Sequence, residues 1–184
     1  MTLFTGKGDD GTTKTFGCDQ RVSKSSAIAE ALGSLDEVNS FLGLVKIESG
    51  ILKFEFQGNS FAEMIHTIQE NLFIIQAEVA GANKSINVEK IKEVEEIINS
   101  IEKELPPIKT FFISGGTKLA SLFDISRTFA RRAERRVVGV NEENLQKISP
   151  QTLAYLNRLS SLLYALARLS NHLSGINESA PSYN

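Results

Sequence analysis

Residues 60–79 read SFAEMIHTIQENLFIIQAEV and carry the clearest structural signal in the chain. Six large apolar residues recur four and three positions apart, at Phe61, Ile65, Ile68, Leu72, Ile75 and Val79. This spacing places them on one face of an α-helix and is typical of the seam between packed helices. Ser60 followed by Glu63 fits a capping box, so the helix is predicted to begin at this point.

The same helical spacing recurs on both sides of this segment. It predicts four more helices, over residues 26–50, 87–105, 117–140 and 149–173. Five amphipathic segments joined mostly by short polar connections predict an all-α, five-helix up-and-down bundle. The apolar run from Ile108 to Ile113 has no second strand to pair with, and we expect it to be an ordered loop.

Length and composition favour a single domain over residues 1–184, because 41% hydrophobic residues suffice for one sizeable core. Within it we expect a glycine-rich leader over residues 1–24 that is loop throughout, a helical bundle over 25–173 and a loose polar tail over 174–184. Lysine and arginine total 20 against 22 acidic residues, and the net charge of -2 argues against a nucleic-acid or membrane partner. The lack of a long apolar stretch or a signal-like leader predicts a soluble cytoplasmic protein.

Side chains that could hold a metal are scarce in this sequence. Cys18 is the only cysteine, which excludes an intramolecular disulfide and a metal site built from thiolates of one chain. His66 and His172 are far apart and lack carboxylates at ligand spacing, so we predict no metal ligand among them. Cys18 also has no identifiable base partner, which leaves a catalytic triad without support.

The fourth predicted helix contains five arginines within ten positions, 127–136. Arg127, Arg131 and Arg135 are spaced four apart and share one face with Glu134. Guanidinium groups this close repel one another unless an anion lies between them, and their geometry suits carboxylate or phosphate oxygens. The alternative is a charged helix face that is simply solvated.

Helices one and five carry polar stripes of their own. On helix one, Asp36 lies among small residues and is a candidate ion-pair partner for Arg127, the alternative being a carboxylate exposed to water. On helix five the polar face consists of Asn157, Ser161, Tyr164 and Arg168. We expect this face to look outward or toward a site, where Asn157 either contacts a nucleotide or metal-bound water or is merely solvated.

The leader combines glycines with threonines over residues 5–13, TGKGDDGTT. Glycine backbone can wrap closely around an anion, and the amides and hydroxyls can donate to phosphate. The segment is not a Walker loop, because Thr12 stands where the lysine is required and no strand precedes it. Lys7, Lys14 or Lys24 could supply the cation, whereas a flexible segment with chance glycines is the alternative.

Four blocks, in this order and at these separations, resemble the PduO-type ATP:cob(I)alamin adenosyltransferases. The blocks are residues 5–13, residues 31–39 (ALGSLDEVN), residues 127–135 (RTFARRAER) and residues 155–160 (YLNRLS). The resemblance spans most of the chain. It implies a ferritin-like five-helix bundle with an N-terminal nucleotide-binding loop, assembled as a homotrimer with ATP bound between neighbouring subunits.

The resemblance also implies roles for individual residues. The nucleotide loop would use Thr5, Gly8, Asp9, Gly11 and Thr13. Further contacts to ATP and its Mg²⁺ would come from Lys24, Arg131, Glu134, Arg135 and Asn157. Asp36 and Arg127 would form an ion pair between subunits, and Phe111 would close the lower face of the corrin and displace the axial base from cobalt.

The implied reaction transfers the 5′-deoxyadenosyl group of ATP to cob(I)alamin and releases triphosphate. Removing the lower ligand makes Co(II) easier to reduce to Co(I), which then attacks the 5′ carbon. Arg131, Asp36, Arg127 and Phe111 would assist by alignment and charge stabilisation, with no side chain acting as a base. A corrinoid reductase or an adenosylcobalamin-dependent enzyme is an expected partner.

Two positions depart from the family pattern, and two other functions remain as alternatives. Ser114 stands where proline often precedes the double glycine and Ser161 where aspartate is frequent, which bears on loop rigidity and helix-five contacts. A nucleotide-sensing or chaperone-like bundle would bind ATP or cobalamin without transfer and would use the same arginines. A nucleic-acid-binding protein would need a broad basic face, which the net charge disfavours.

Overall fold

The computed structural model describes residues 3–16 and 21–183. Its helices are α1 (Ala27–Leu52), α2 (Phe61–Val79), α3 (Val88–Glu104), α4 (Lys118–Glu142) and α5 (Pro150–Leu173). Its strands are β1 (Thr12–Lys14), β2 (Arg21–Ser23), β3 (Glu55–Phe56) and β4 (Asn59–Ser60). The prediction of a five-helix bundle is confirmed, whereas Cys18 lies outside the described residues.

Each helix begins within one residue of its predicted start, and a capping side chain precedes each one. The N-cap residues are Ser26, Ser60, Asn87, Thr117 and Ser149. At α2 both halves of the capping box form: Glu63 N–H donates to the Ser60 hydroxyl at 3.2 Å, and Ser60 N–H donates to the Glu63 carboxylate at 3.1 Å. These contacts satisfy amides that have no partner within the helix, which fixes the start of the helix locally.

The core is formed where α5 packs against α3 and α4, and α1 packs against α2 and α4. Its largest fully buried side chains include Phe61, Phe123 and Tyr155. The Tyr155 hydroxyl accepts a hydrogen bond of 3.0 Å from the Asn71 amide, which gives the buried phenol a polar partner. Burial raises the pKa of Tyr155 to about 12, so the phenol is neutral in the folded protein at neutral pH.

Glu78, near the end of α2, caps the start of α5. One carboxylate oxygen accepts from the Ser149 N–H at 2.7 Å, and the other accepts from the Thr152 hydroxyl. Glu78 is buried, and the positive end of the α5 dipole together with these two donors compensates its desolvation. The contact sets where α5 begins relative to α2.

The structure corrects the prediction that the first 24 residues are entirely loop. β1 and β2 pair antiparallel with Thr13 opposite Val22, and a second short hairpin pairs β3 with β4. Strands of two or three residues show no alternating pattern long enough to detect in sequence. The segment from Ile108 to Ile113 contains no strand, as predicted.

The prediction of a loose C-terminal tail is wrong for at least two of its residues. Ser179 C=O accepts a hydrogen bond of 2.8 Å from Ile113 N–H, and the Glu178 carboxylate pairs with Arg168. The chain reverses after α5 at Gly175, whose φ of +68° lies in the left-handed region that glycine adopts readily. Across residues 3–16 and 21–183, no helix is long and apolar enough to cross a membrane.

Candidate functional site

The face of α4 that carries Arg131 and Arg135 is the centre of the candidate site. Both side chains are exposed, and neither has a hydrogen-bond or ion-pair partner among the described residues. Arg132, on another face of the helix, differs because it pairs with Glu37 of α1. Two neighbouring guanidinium groups without protein partners are available for an external anion.

A first cavity, here called the polar cavity, has a volume of about 440 Å³. It is lined by Arg131, Glu134, Arg135, Val138, Glu142 and Asn157. The Asn157 amide donates to the Glu134 carboxylate at 3.1 Å, while its oxygen accepts from Arg158 at 2.8 Å. These contacts orient the Asn157 side chain, and the Glu134 carboxylate lines the same cavity as the guanidinium groups of Arg131 and Arg135.

A second cavity, here called the aromatic cavity, has a volume of about 660 Å³. It lies between α4, α5 and the loop that precedes α4, and its lining includes Phe111, Phe112, Arg127, Arg131, Ser161 and Tyr164. The Phe111 side chain is 79% exposed, so it presents an apolar face to whatever enters the cavity. The volume and mixed lining suit a large, partly apolar ligand.

Arg131 borders both cavities. A phosphate chain in the polar cavity and a planar apolar ligand in the aromatic cavity would therefore meet at its guanidinium group. This juxtaposition depends on the packing of α4 against α5, which brings Asn157 to the polar cavity and Tyr164 to the aromatic cavity.

Arg127 is held by neighbours in its own chain. Its Nε lies 3.5 Å from the Asp124 carboxylate, and its guanidinium lies 5.9 Å from the centre of the Tyr164 ring. Burial raises the pKa of Tyr164, which keeps the phenol neutral beside the arginine. Among the described residues no ion pair joins Arg127 to Asp36, so the pair considered within one chain is not present.

Asp36 is instead exposed on α1, where it borders a shallow groove with Phe73 and Gln76 of α2. Phe73 is a large apolar residue that is itself exposed. An ion pair between Asp36 and the Arg127 of another subunit stays a prediction.

The glycine-threonine leader folds on itself and onto Lys24. Lys24 Nζ donates to Gly8 C=O at 2.7 Å, and a side chain at Gly8 would begin only 3.0 Å from that nitrogen. Gly6 and Gly11 adopt φ of +68° and +77°, which the tight turns at these points require. The small residue at position 8 therefore lets the lysine approach the backbone closely.

Hydrogen bonds from Thr12 hold Asp10 in the same leader. The Thr12 hydroxyl and N–H donate to the Asp10 carboxylate at 2.7 and 2.9 Å, and they lower the pKa of Asp10, with the nearby Arg21 adding a smaller effect. Thr5 accepts a hydrogen bond from Lys7 N–H at 3.4 Å, Asp9 is exposed, and Thr13 lies in β1. The predicted loop residues thus form one ordered turn structure.

The leader and the polar cavity lie in different places on the chain. Lys24 borders a cavity with Gly33, Arg132 and Arg136, not with Arg131 and Arg135. No described contact joins residues 5–13 to Arg131 or Arg135. The structure therefore brings Arg131, Glu134, Arg135 and Asn157 together as predicted, and it groups the leader with Lys24 elsewhere.

Several residues that line the cavities were not among the predicted site residues. Glu142 borders the polar cavity, and Lys109, Ser160 and Tyr164 border the aromatic cavity. Glu142 lies eight positions after Glu134, so helical periodicity alone would have placed it on the same face. Tyr164 already lay on the predicted polar face of helix five, whereas Lys109 and Ser160 become visible only when α5 and the loop before α4 are packed together.

Within residues 3–16 and 21–183, no group of three or more His, Cys, Asp or Glu side chains is arranged so that it could hold a metal ion. His66 lies on an exposed face with its Nε2 3.9 Å from Glu70. Any cation at this site would need oxygen atoms from a bound ligand in addition to those of the protein.

Comparison with known proteins identifies the family. The model of the cobalamin adenosyltransferase family matches residues 3–170. The chain belongs to this family. A cobalamin adenosyltransferase relative, the corrinoid adenosyltransferase of Bacillus subtilis, is 39% identical over 183 residues, which cover 97% of this chain and 91% of that protein.

Other members of the cobalamin adenosyltransferase family differ more in length. Corrinoid adenosyltransferase PduO of Citrobacter freundii is 35% identical over 179 residues, which cover 94% of this chain and 50% of that protein. A variant PduO-type ATP:corrinoid adenosyltransferase of Lactobacillus reuteri, solved with cobalamin and ATP, superposes with a TM-score of 0.87. That match is 28% identical and covers 98% of this chain and 97% of that chain.

Proposed function

We propose that this protein transfers the 5′-deoxyadenosyl group of ATP to the cobalt of cob(I)alamin and releases triphosphate. The observation that carries the proposal is the position of Arg131, which borders both cavities and has no hydrogen-bond or ion-pair partner within residues 3–16 and 21–183. Family membership supports this reaction, and the two adjoining cavities could hold a phosphate chain and a corrin separately.

The chemistry requires alignment and charge stabilisation more than acid-base catalysis. Co(I) provides the electron pair for a new cobalt–carbon bond. The bond from C5′ to the triphosphate oxygen breaks, and the triphosphate leaves with the electron pair of that broken bond. Arg131 is placed to stabilise the departing negative charge while the substrates are held in line. No proton needs to move, which agrees with a site that places no histidine beside Arg131.

The nucleotide would lie with its phosphates against Arg131, Arg135 and Asn157. The carboxylates of Glu134 and Glu142 line the same cavity as hard oxygen donors, and they would suit Mg²⁺ bound together with the phosphates. Such an ion would add positive charge to the triphosphate. The remaining contacts, from Thr5, Gly8, Asp9, Gly11, Thr13 and Lys24, would come from the leader of a neighbouring subunit.

Assembly as a homotrimer with sites between subunits accounts for two features of the single chain. The leader is ordered away from Arg131 and Arg135, and Asp36 is exposed beside the exposed Phe73. In a neighbouring subunit these surfaces would meet the Arg127 face of α4. A charge reversal, Asp36→Arg, should lower the fraction of assembled protein in sedimentation, and adding Arg127→Asp should restore it.

The matched control for this assembly test is Glu96→Arg, which makes the same charge change on an exposed position of α3. Unchanged sedimentation of Asp36→Arg would contradict the assembly proposal. Loss of assembly in the control as well would show that net charge, and not the pair, is responsible.

Phe111 would face the lower side of the corrin in the aromatic cavity. An apolar ring offers no ligand to cobalt, so its presence favours cobalt without an axial base, which is easier to reduce to Co(I). A reductase or another electron donor would supply the electron, and a reducing, ATP-containing compartment such as the cytoplasm fits this requirement. The single domain expected over residues 1–184 would then supply every side chain of the site, because each site would combine side chains from two subunits.

The direct test is incubation of the protein with ATP and chemically reduced cobalamin. We expect the light-sensitive spectrum of an alkylcobalamin and one triphosphate released for each product formed. A bundle that binds ATP or cobalamin without transfer would saturate with both ligands and yield neither product. That result would overturn the proposal.

A further inference from the structure

The chain beyond α5 folds back against the loop that carries Phe111. Ile176 N–H donates to Asn171 C=O at 2.9 Å as the chain reverses, and Ile113 N–H then donates to Ser179 C=O at 2.8 Å. Ile113 lies two residues from Phe111. The segment 176–180, here called the return segment, is thus fastened beside the wall of the aromatic cavity.

Arg168 of α5 joins the return segment to the same loop. Its side chain is only 7% exposed, and its Nε donates to the Glu178 carboxylate at 2.8 Å. Its Nη2 donates to Pro106 C=O at 3.1 Å, and its guanidinium lies 5.1 Å from the centre of the Phe112 ring. One buried cation therefore contacts the return segment, the start of the loop and the residue next to Phe111.

Asn171, one turn further along α5, fastens the other end of the loop. Its amide donates to Gly115 C=O at 2.9 Å, and its oxygen accepts from Thr117 N–H at 2.9 Å. Gly116 adopts a φ of +101°, and a side chain there would collide with the Asn171 amide. The loop therefore approaches α5 more closely than any residue other than glycine permits at this point.

The loop has little support of its own. Among the described residues no backbone hydrogen bond joins two residues of the segment 106–116, and Phe111 is largely exposed. Its fixed points are the contacts to Arg168, to Asn171 and to the return segment. A loop without internal hydrogen bonds takes its shape from such external contacts.

We propose that Arg168 and Glu178 are positioning residues that hold Phe111 against the corrin through the return segment. The inference rests on the proposed function, because it assigns to the pair an effect on the corrin face that Phe111 covers. A buried arginine stays charged and needs its carboxylate partner, so loss of Glu178 releases the return segment from α5. Phe111 then samples other positions, and cobalt keeps its axial base more often.

The central variant is Glu178→Gln, which keeps the size of the side chain and removes its charge. We expect kcat to fall about tenfold, because residues that act together typically show a coupling of this size. The Kd for ATP should be unchanged. In cob(II)alamin bound with ATP, the spectrum should show a smaller fraction of cobalt without its axial base. The control Glu102→Gln, at an exposed position of α3, should behave as wild type.

Combination with Phe111→Ala separates positioning from general destabilisation. If Glu178 acts through Phe111, then Glu178→Gln lowers kcat no further in the Phe111→Ala protein. Equal losses in both backgrounds would overturn the inference. Amide hydrogen exchange of residues 108–114 provides a readout that does not depend on turnover, and it should be faster in Glu178→Gln than in wild type.

The two proposals fail in different ways. Wild-type protein that forms no alkylcobalamin overturns the proposed function and with it the role of the pair. Wild-type protein that is active, with a Glu178→Gln variant of unchanged kcat and unchanged spectrum, overturns the positioning role alone. Should Glu178→Gln not fold, Arg168→Lys keeps the buried charge with fewer donors and is expected to show the same spectral change.

Discussion

Replacing Arg131 by alanine should separate folding from turnover. The side chain is exposed and contacts no described residue through a hydrogen bond or ion pair, so its removal should change the free energy of unfolding by less than about 0.5 kcal/mol. In the proposed reaction the Arg131 guanidinium would stabilise the negative charge that develops on the triphosphate. Loss of one such donor typically costs about 2.7 to 4 kcal/mol, or roughly 10² to 10³ in kcat.

The assay is formation of alkylcobalamin followed by its spectrum, with the concentrations of ATP and cobalamin varied in turn. Because Arg131 borders both cavities, we expect the KM for each substrate to rise in addition to the fall in kcat. Arg131→Lys should lie between wild type and Arg131→Ala, since it keeps the charge and loses the paired donors. Lys92→Ala removes one positive charge from an exposed position of α3 and serves as the control.

Either of two outcomes would contradict a role for Arg131 in stabilising the departing triphosphate. A kcat for Arg131→Ala within about threefold of wild type would mean that no substantial barrier lowering comes from this side chain. Loss of helical circular dichroism in the variant would mean that Arg131 supports the fold, against its exposed and unpartnered position.

Two further predictions concern the interior of the bundle. The pKa of Tyr155 is raised to about 12, so the stability due to the neutral buried phenol is complete below about pH 10 and is lost as the pH rises through about 12. An absorbance titration should show this late step in wild type, and the Tyr155→Phe variant should lack it. Titration of every tyrosine near pH 10 would contradict the burial of Tyr155. Glu78→Ala leaves the Ser149 N–H and the Thr152 hydroxyl without their acceptor and should destabilise the protein by about 2 to 3 kcal/mol. At fixed protein concentration this lowers Tm by roughly 5 to 10 °C, and a Tm equal to that of an exposed Glu96→Ala control would refute the capping role.

The helices were predictable because their starts depend on local chemistry. Ser60 and Glu63 contact each other three residues apart, and Ser149 precedes Pro150 at the first position of α5. Such signals need no knowledge of the rest of the chain. The short hairpins in the leader and before α2 were missed because two or three residues give no period, and their pairing depends on which turns bring them together.

The site was predictable only as far as one helix determines it. Arg131 and Arg135 share a face of α4 by spacing alone, and the pairing of Arg127 with Asp124 is likewise an i, i+3 contact within α4 that spacing could have indicated. That Arg127 does not pair with Asp36 of the same chain depends on the packing of α1 against α4, which spacing along one helix does not determine. The contact of Arg168 with Glu178 was equally hidden, because a polar tail gives no sign of the buried cation it meets. The polar composition of residues 174–184 suggested a solvated segment, whereas the structure has the buried ion pair of Arg168 and Glu178 there.

The arrangement of α5 limits how the chain can vary. Asn157, Tyr164 and Asn171 follow one another at intervals of seven residues, which is about 10 Å for each step along the helix axis. This one continuous helix thus sets the distance between the polar cavity, the aromatic cavity and the anchor of the loop before α4. Insertion or deletion of a single residue between Asn157 and Asn171 would rotate everything beyond it by about 100°. Homologous chains should therefore keep the number of residues between these positions of the helix.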